Sequence, residues 1–140
     1  MSGRFFLDTN IFVYCFDNVS PSKNRRARQL VRQAVTTRKG VISYQVVQEF
    51  FNVALKRFAQ PMTLAEADQY LDVVFRPLLA IHSSPALYSE ALHLTAKHHL
   101  AWYDALIVAS AIEAECSALY SEDLQHERSF GDLHIENPFQ

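Results

Sequence analysis

Short apolar runs alternate with longer segments of helical periodicity along the whole chain, and this alternation directs it to the α/β class. RFFL at 4–7, GVIS at 40–43, LLAI at 78–81 and SALY at 117–120 read as buried strands, and a further strand is expected at 132–135. Between them the patterning predicts helices at 11–16, 22–37, 44–59, 63–75, 84–99 and 102–115. Local punctuation agrees with these limits. Thr63 with Glu66 three residues on forms a capping-box signature, Pro61 closes the helix before it, and Pro85 suits a first helical turn. Leu30, Val31, Ala34 and Val35 mark one inward stripe; Val46, Val47, Phe50, Val53, Ala54 and Phe58 mark another. The segment from Trp102 is so apolar that its helix should be buried. The order of elements predicts one domain over residues 1–140, a three-layer α/β/α sandwich around a mainly parallel sheet of four to five strands with right-handed crossovers.

Composition supports a packed core: 49% of residues are hydrophobic, with ten Phe and six Tyr, and 20% are charged. No apolar stretch reaches the roughly 18 residues of a membrane span, and MSGRFFLDTN lacks the clean apolar core of a leader, so a cytoplasmic location is expected. Cys15 and Cys116 lie in apolar surroundings and read as buried reduced thiols. The formal net charge of −2 argues against a general basic coat for nucleic acid. Yet seven of the thirteen Lys and Arg fall between Lys23 and Lys39, and no acid occurs between Asp17 and Glu49. Arg25, Arg28 and Arg32 share a helix face there; a solvated face is the ordinary outcome, and RNA phosphates or an acidic partner protein are the functional ones.

Four carboxylates are candidates for chemistry. Asp8 ends the first strand and Asp123 follows the fourth, so adjacent strands would bring both to one crevice at the carboxyl edge of the sheet. Thr9 or Asn10 is expected to cap the helix that follows, leaving Asp8 free to face that crevice. Asp104 stands in the first turn of WYDALIVASAI, where the free N–H groups of the turn could hold it but its apolar neighbours make a solvated acid unexpected. Glu49 falls at the border of the inward stripe, where a solvated helix glutamate is the ordinary outcome, yet no Lys or Arg stands at i+3 or i+4 to pair with it. Carboxylates converging in one cleft repel one another unless a cation lies among them, and hard oxygen donors suit Mg²⁺ or Mn²⁺. Such an ion assists phosphodiester hydrolysis, so a metal-dependent phosphodiesterase is expected. The six His have no zinc spacing, and dinucleotide, P-loop and serine-hydrolase signatures do not occur.

FFLDTNIFVY, SYQVVQEFFNV, WYDALIVASA and LYSEDL, in this order between Phe5 and Leu124, resemble the motifs of PIN-domain ribonucleases, and in size and layout of the VapC-type toxins of toxin–antitoxin pairs. The resemblance implies a PIN-like fold with Asp8, Glu49, Asp104 and Asp123 as the acidic metal-site residues and Asn10 and Ser121 as supporting polar positions. It also implies Mg²⁺ or Mn²⁺ as cofactor, an RNA substrate cut by a metal-activated water, a homodimer, and an antitoxin that obstructs the cleft. Asp123 rather than its neighbour Glu122 matches the motif acid, because it directly precedes Leu124. A housekeeping RNA-processing PIN nuclease without an antitoxin is the alternative within the fold. An aspartyl-nucleophile phosphatase is the alternative outside it, weakened because Asn10 stands where a second aspartate is needed.

Overall fold

The computed structural model describes residues 3–140, which form one mainly parallel sheet flanked by helices. Six strands run in the order β3-β2-β1-β4-β6-β5. β1 (Phe5–Leu7) lies between β2 (Gly40–Ser43) and β4 (Ala118–Tyr120), parallel to both; β3 (Leu79–Ile81) extends the sheet beyond β2, and β6 (Leu133–Glu136) beyond β4. The strand beyond the expected count is β5 (Ser129–Phe130), two residues antiparallel to β6 and too short to leave a periodic trace in sequence. Gly131, at φ 60°, makes the tight turn between them.

The helices are α1 (Thr9–Tyr14), α2 (Pro21–Thr37), α3 (Tyr44–Ala54), α4 (Leu64–Tyr70), α5 (Arg76–Leu78), α6 (Pro85–His98) and α7 (Trp102–Glu113). The capping box at Thr63 is formed: Glu66 N–H donates to Thr63 Oγ1, and Thr63 N–H to Glu66 Oε1 at 2.9 Å. α1 lies two residues earlier than the expected 11–16, and two later helices depart further from expectation. α3 stops at Ala54 rather than 59, because the Lys56 and Arg57 amides fold back onto the Val53 carbonyl and Met62 N–H takes the Ala54 carbonyl ahead of Pro61. Phe58 packs inward nonetheless, stacked on Phe16 at 5.4 Å. After α4 the chain continues through a π-helical turn, Leu71–Phe75, into the short α5, which contains Pro77.

Phe5, Phe6 and Leu7 are all buried, which requires cover on both faces of β1. Phe12, Phe50, Phe75 and Tyr70 form an aromatic cluster beside it, with Phe12 edge-on to Phe75 at 5.0 Å and Phe50 stacked on Tyr70 at 5.2 Å. α2 lies so close to β2 that a Cβ on Gly40 would meet the Ala34 Cβ at 2.2 Å. Cys15 and Cys116 are buried free thiols. Among the described residues no helix is long and apolar enough to cross a membrane.

The strand order fixes the position of the site. From β1 the sheet grows one way through β2 and β3 and the other way through β4 and β6, so the carboxyl ends of β1 and β4 flank the point where the winding reverses. Chains leaving the two strands part there and open a crevice.

Candidate active site

Asp8 directly follows β1 and is the N-cap of α1. Its Oδ1 accepts the Thr9 N–H at 2.7 Å and its Oδ2 accepts the Ser121 hydroxyl at 2.7 Å. The cap expected from Thr9 or Asn10 is therefore supplied by Asp8 itself. An extended backbone (φ −70°, ψ 162°) and two carboxylate oxygens let it cap the helix with one oxygen and reach β4's exit with the other.

Glu49 projects from the middle of α3. The Thr9 hydroxyl donates to its Oε1 at 2.7 Å, and Gln45, one turn earlier, donates to its Oε2 at 3.4 Å. Gln45 Nε2 also reaches the Tyr103 carbonyl at 3.2 Å, which ties α3 to the first turn of α7 just before Asp104. Asp104 is half-buried in that turn. Asp123 lies in the loop after β4, exposed at the mouth, with its N–H donated to Ser121 Oγ at 3.2 Å.

One cleft of about 520 Å³ is lined by Asp8, Asn10, Glu49, Asp104 and Asp123, with Asp17 and Glu122 also on its wall and no Lys or Arg. Ser121 stands behind Asp8, fully buried. Burial pushes the Asp8 carboxyl from its ordinary 3.8 up to about 6; the charges of Asp123 and Glu49 add to the rise, while the bonds from Ser121 and Thr9 oppose it. Burial likewise raises Asp104, again with help from Asp123 and Glu49. Asn10 forms part of the wall with both amide atoms buried and without a partner among the described residues. A buried amide in that state calls for a partner from outside the chain.

These features fit a hard divalent ion: oxygen donors only, a surplus of negative charge, and an unpartnered amide. The acids do not close into a complete ligand cage; among the described residues no three His, Cys, Asp or Glu are grouped to hold an ion unaided. Mg²⁺ tolerates this, because it binds through few carboxylates and keeps several waters.

Glu122 faces a different task from Asp123. Tyr14 Oη donates to its Oε1, and Lys23 Nζ to its Oε2 at 2.6 Å. Arg25, Arg28 and Arg32 are exposed and none lines the acid cleft. Arg28 and Arg32 instead edge a separate groove floored by Cys15, Phe16, Val31, Val35, Tyr70 and Val74; Arg25 is not part of it. Thr9, Gln45 and Asp17 join the site in addition to the residues expected from sequence. Thr9 could have been found as the hydroxyl beside Asp8 and Gln45 as the amide one helical turn before Glu49, whereas Asp17 carries no local signal.

A family model described as PIN domain matches residues 5–129. No curated protein sequence matches the chain. Several solved structures share the fold. The Mycobacterium tuberculosis toxin VapC20, described as Sarcin-Ricin loop cleaving, is 16% identical with a TM-score of 0.63, covering 85% of this chain and 89% of its own. A toxin–antitoxin complex from Klebsiella pneumoniae is 20% identical with a TM-score of 0.66 over 95% and 96%. VapBC2 from Rickettsia felis, solved with a DNA fragment from its promoter, is 20% identical with a TM-score of 0.60 over 94% and 96%.

Proposed function

Because the chain belongs to the PIN domain family, we propose that it is a metal-dependent endoribonuclease, the toxin of a toxin–antitoxin pair, acting as one PIN domain over residues 1–140. The observation that carries this reading is the convergence of acids from four elements on one cleft: Asp8 after β1, Glu49 on α3, Asp104 on α7 and Asp123 after β4. These four would hold Mg²⁺ or Mn²⁺, with Asn10 on the wall beside them. When bound, the ion activates a water and neutralises charge on the leaving oxygen of a phosphodiester.

The chain's own groups set up that chemistry. Ser121 and the Thr9 N–H fix Asp8 through one oxygen each, so the carboxylate cannot rotate away from the cleft. Thr9 and Gln45 hold Glu49 in the same way from two sides. Burial raises the Asp8 carboxyl to about 6, so without an ion it is fully ionised only well above that pH. The polyanionic substrate adds further negative charge, so affinity for RNA in this acid-lined cleft depends on the cation.

The toxin assignment is supported by the character of the structural neighbours, which include toxins and toxin–antitoxin complexes. Its antitoxin would obstruct the acid cleft, and the groove edged by Arg28 and Arg32 offers that partner an apolar seat with a basic rim. For a homodimer, Tyr44, Tyr88, Trp102 and Tyr103 stand exposed around one hollow beside the cleft, the kind of aromatic patch that association covers. In this reading the protein acts on RNA in the cytoplasm.

The test is RNA cleavage by purified protein with Mg²⁺ or Mn²⁺ against the same protein in chelator, alongside Asp8→Asn and Asp104→Asn variants whose folding is checked by circular dichroism. Cleavage should need the ion and drop at least ~100-fold in each variant. Undiminished cleavage by both folded variants rejects the site.

A further inference from the structure

We propose that the Lys23–Glu122 ion pair is a positioning clamp that holds Asp123 at the acid cleft; its importance for catalysis rests on the nuclease reading above.

The loop after β4 presents Ser121, Glu122 and Asp123 in succession, and each side chain has a different fate. Ser121 turns inward to Asp8, and its oxygen also receives the N–H groups of Asp123 and Leu124 at 3.2 and 3.4 Å. Glu122 does not join Asp8, and both its oxygens are occupied, by Tyr14 and by Lys23. Lys23, part-exposed, lies against two aromatic rings. Its Nζ lies 3.4 Å from Tyr14 Oη, 5.0 Å from the centre of the Tyr14 ring and 5.7 Å from that of Phe139, and the two rings meet edge-on at 5.0 Å. The clamp joins the last residue of α1 and the first turn of α2 to a loop 108 and 99 residues away in sequence, respectively.

Two consequences follow for Asp123. The two residues before it are both anchored, Ser121 to Asp8 and Glu122 to Tyr14 and Lys23, so its carboxylate is presented from a fixed backbone. Glu122 also shares the cleft wall, where an unpaired carboxylate would repel Asp123 and compete for a cation. Pairing with Lys23 cancels that charge. It also gives the clamp a cation close to a cleft whose own lining has no Lys or Arg.

The experiment uses the 140-residue protein with Glu122→Gln, Lys23→Met and the charge exchange Lys23→Glu with Glu122→Lys. Hydrogen exchange of the 121–124 segment is measured without metal, and Mn²⁺ affinity by calorimetry. Each single variant should exchange about fivefold faster at 121–124, as expected for a part-exposed pair, with β1 and β2 unaffected. Glu122→Gln, which leaves the Lys23 charge unpaired beside the cleft, should also bind Mn²⁺ about fivefold more weakly. The charge exchange should recover most of both losses. Unchanged exchange at 121–124 in both single variants overturns the clamp, as does a charge-exchanged protein no better than either single. Faster exchange in the singles, reversed by the charge exchange, beside a wild-type protein inert toward Mn²⁺ and RNA keeps the clamp and overturns the nuclease reading instead.

Discussion

Ser121 and Asp8, 113 residues apart in sequence, meet through a 2.7 Å hydrogen bond from a fully buried hydroxyl to a buried carboxylate. The parallel pairing of β1 with β4, which sets Leu7 opposite Tyr120, delivers the two residues to the same level at the sheet edge. The bond favours the ionised carboxylate and opposes the effect of burial.

Ser121→Ala should therefore raise the Asp8 pKa further above 6, because burial is left without its strongest counterweight. The acid limb of the pH profile for RNA cleavage should move upward by about one pH unit. A profile superimposable on wild type would mean that Asp8 is not the group titrating there.

Thr9→Val keeps the shape of the side chain and removes the donor to Glu49 Oε1, leaving only the longer bond from Gln45. Mn²⁺ affinity and cleavage should fall by roughly 10- to 100-fold while thermal stability changes little. Calorimetry on the purified variant measures the first directly. A loss of stability without loss of affinity would make Thr9 a packing residue only.

The fold and much of the cleft could be read from short-range pattern. Apolar runs before Asp8 and Asp123 mark strand ends, and Asp104 stands out because the helix around it is otherwise apolar. Glu49 was visible as a border position on a helix stripe. What sequence pattern could not supply are contacts between distant segments. The separate orientation of Glu122 depends on Lys23 and Tyr14, and the tie between Gln45 and the Tyr103 carbonyl depends on how α3 meets α7. The cap on α1 was misassigned for a related reason: a carboxylate can serve a local amide and a distant hydroxyl together, and periodicity does not reveal the second partner. The end of α3 was misplaced because its stop is set by amides folding back on Val53 and Ala54, rather than by a change in hydrophobic pattern.

Gly40→Ala tests how α2 seats on the sheet. The new methyl would meet Ala34 Cβ at 2.2 Å and Ala34 Cα at 2.7 Å, both rigid neighbours, so helix and strand must separate. The expected cost is roughly 1–3 kcal/mol by urea unfolding. Adding Ala34→Gly removes one of the two clashes and should return part of that loss as a favourable coupling. Strictly additive effects would show that the two elements do not press on each other.

Asp8 also makes the metal-free protein's stability depend on pH in an unusual direction for a carboxylate. Its pKa is raised in the folded state, so between about 3.8 and about 6 the native chain keeps a proton that the unfolded chain releases. Protonation then favours the fold: this contribution is fully present below 3.8 and is lost as pH rises through 6, up to roughly 3 kcal/mol. Other groups titrate in the same range, Asp104 among them, so the informative quantity is the difference between wild type and Asp8→Asn. In chelator, urea midpoints from pH 4 to 8 should show wild type losing stability relative to Asp8→Asn as pH rises. Saturating Mn²⁺ should remove the difference or reverse it, because the ion binds the carboxylate of the wild type and stabilises it by mass action. Parallel curves for the two proteins in chelator would show that the Asp8 carboxylate is solvated in solution and that the cleft does not hold it in a charge-poor environment.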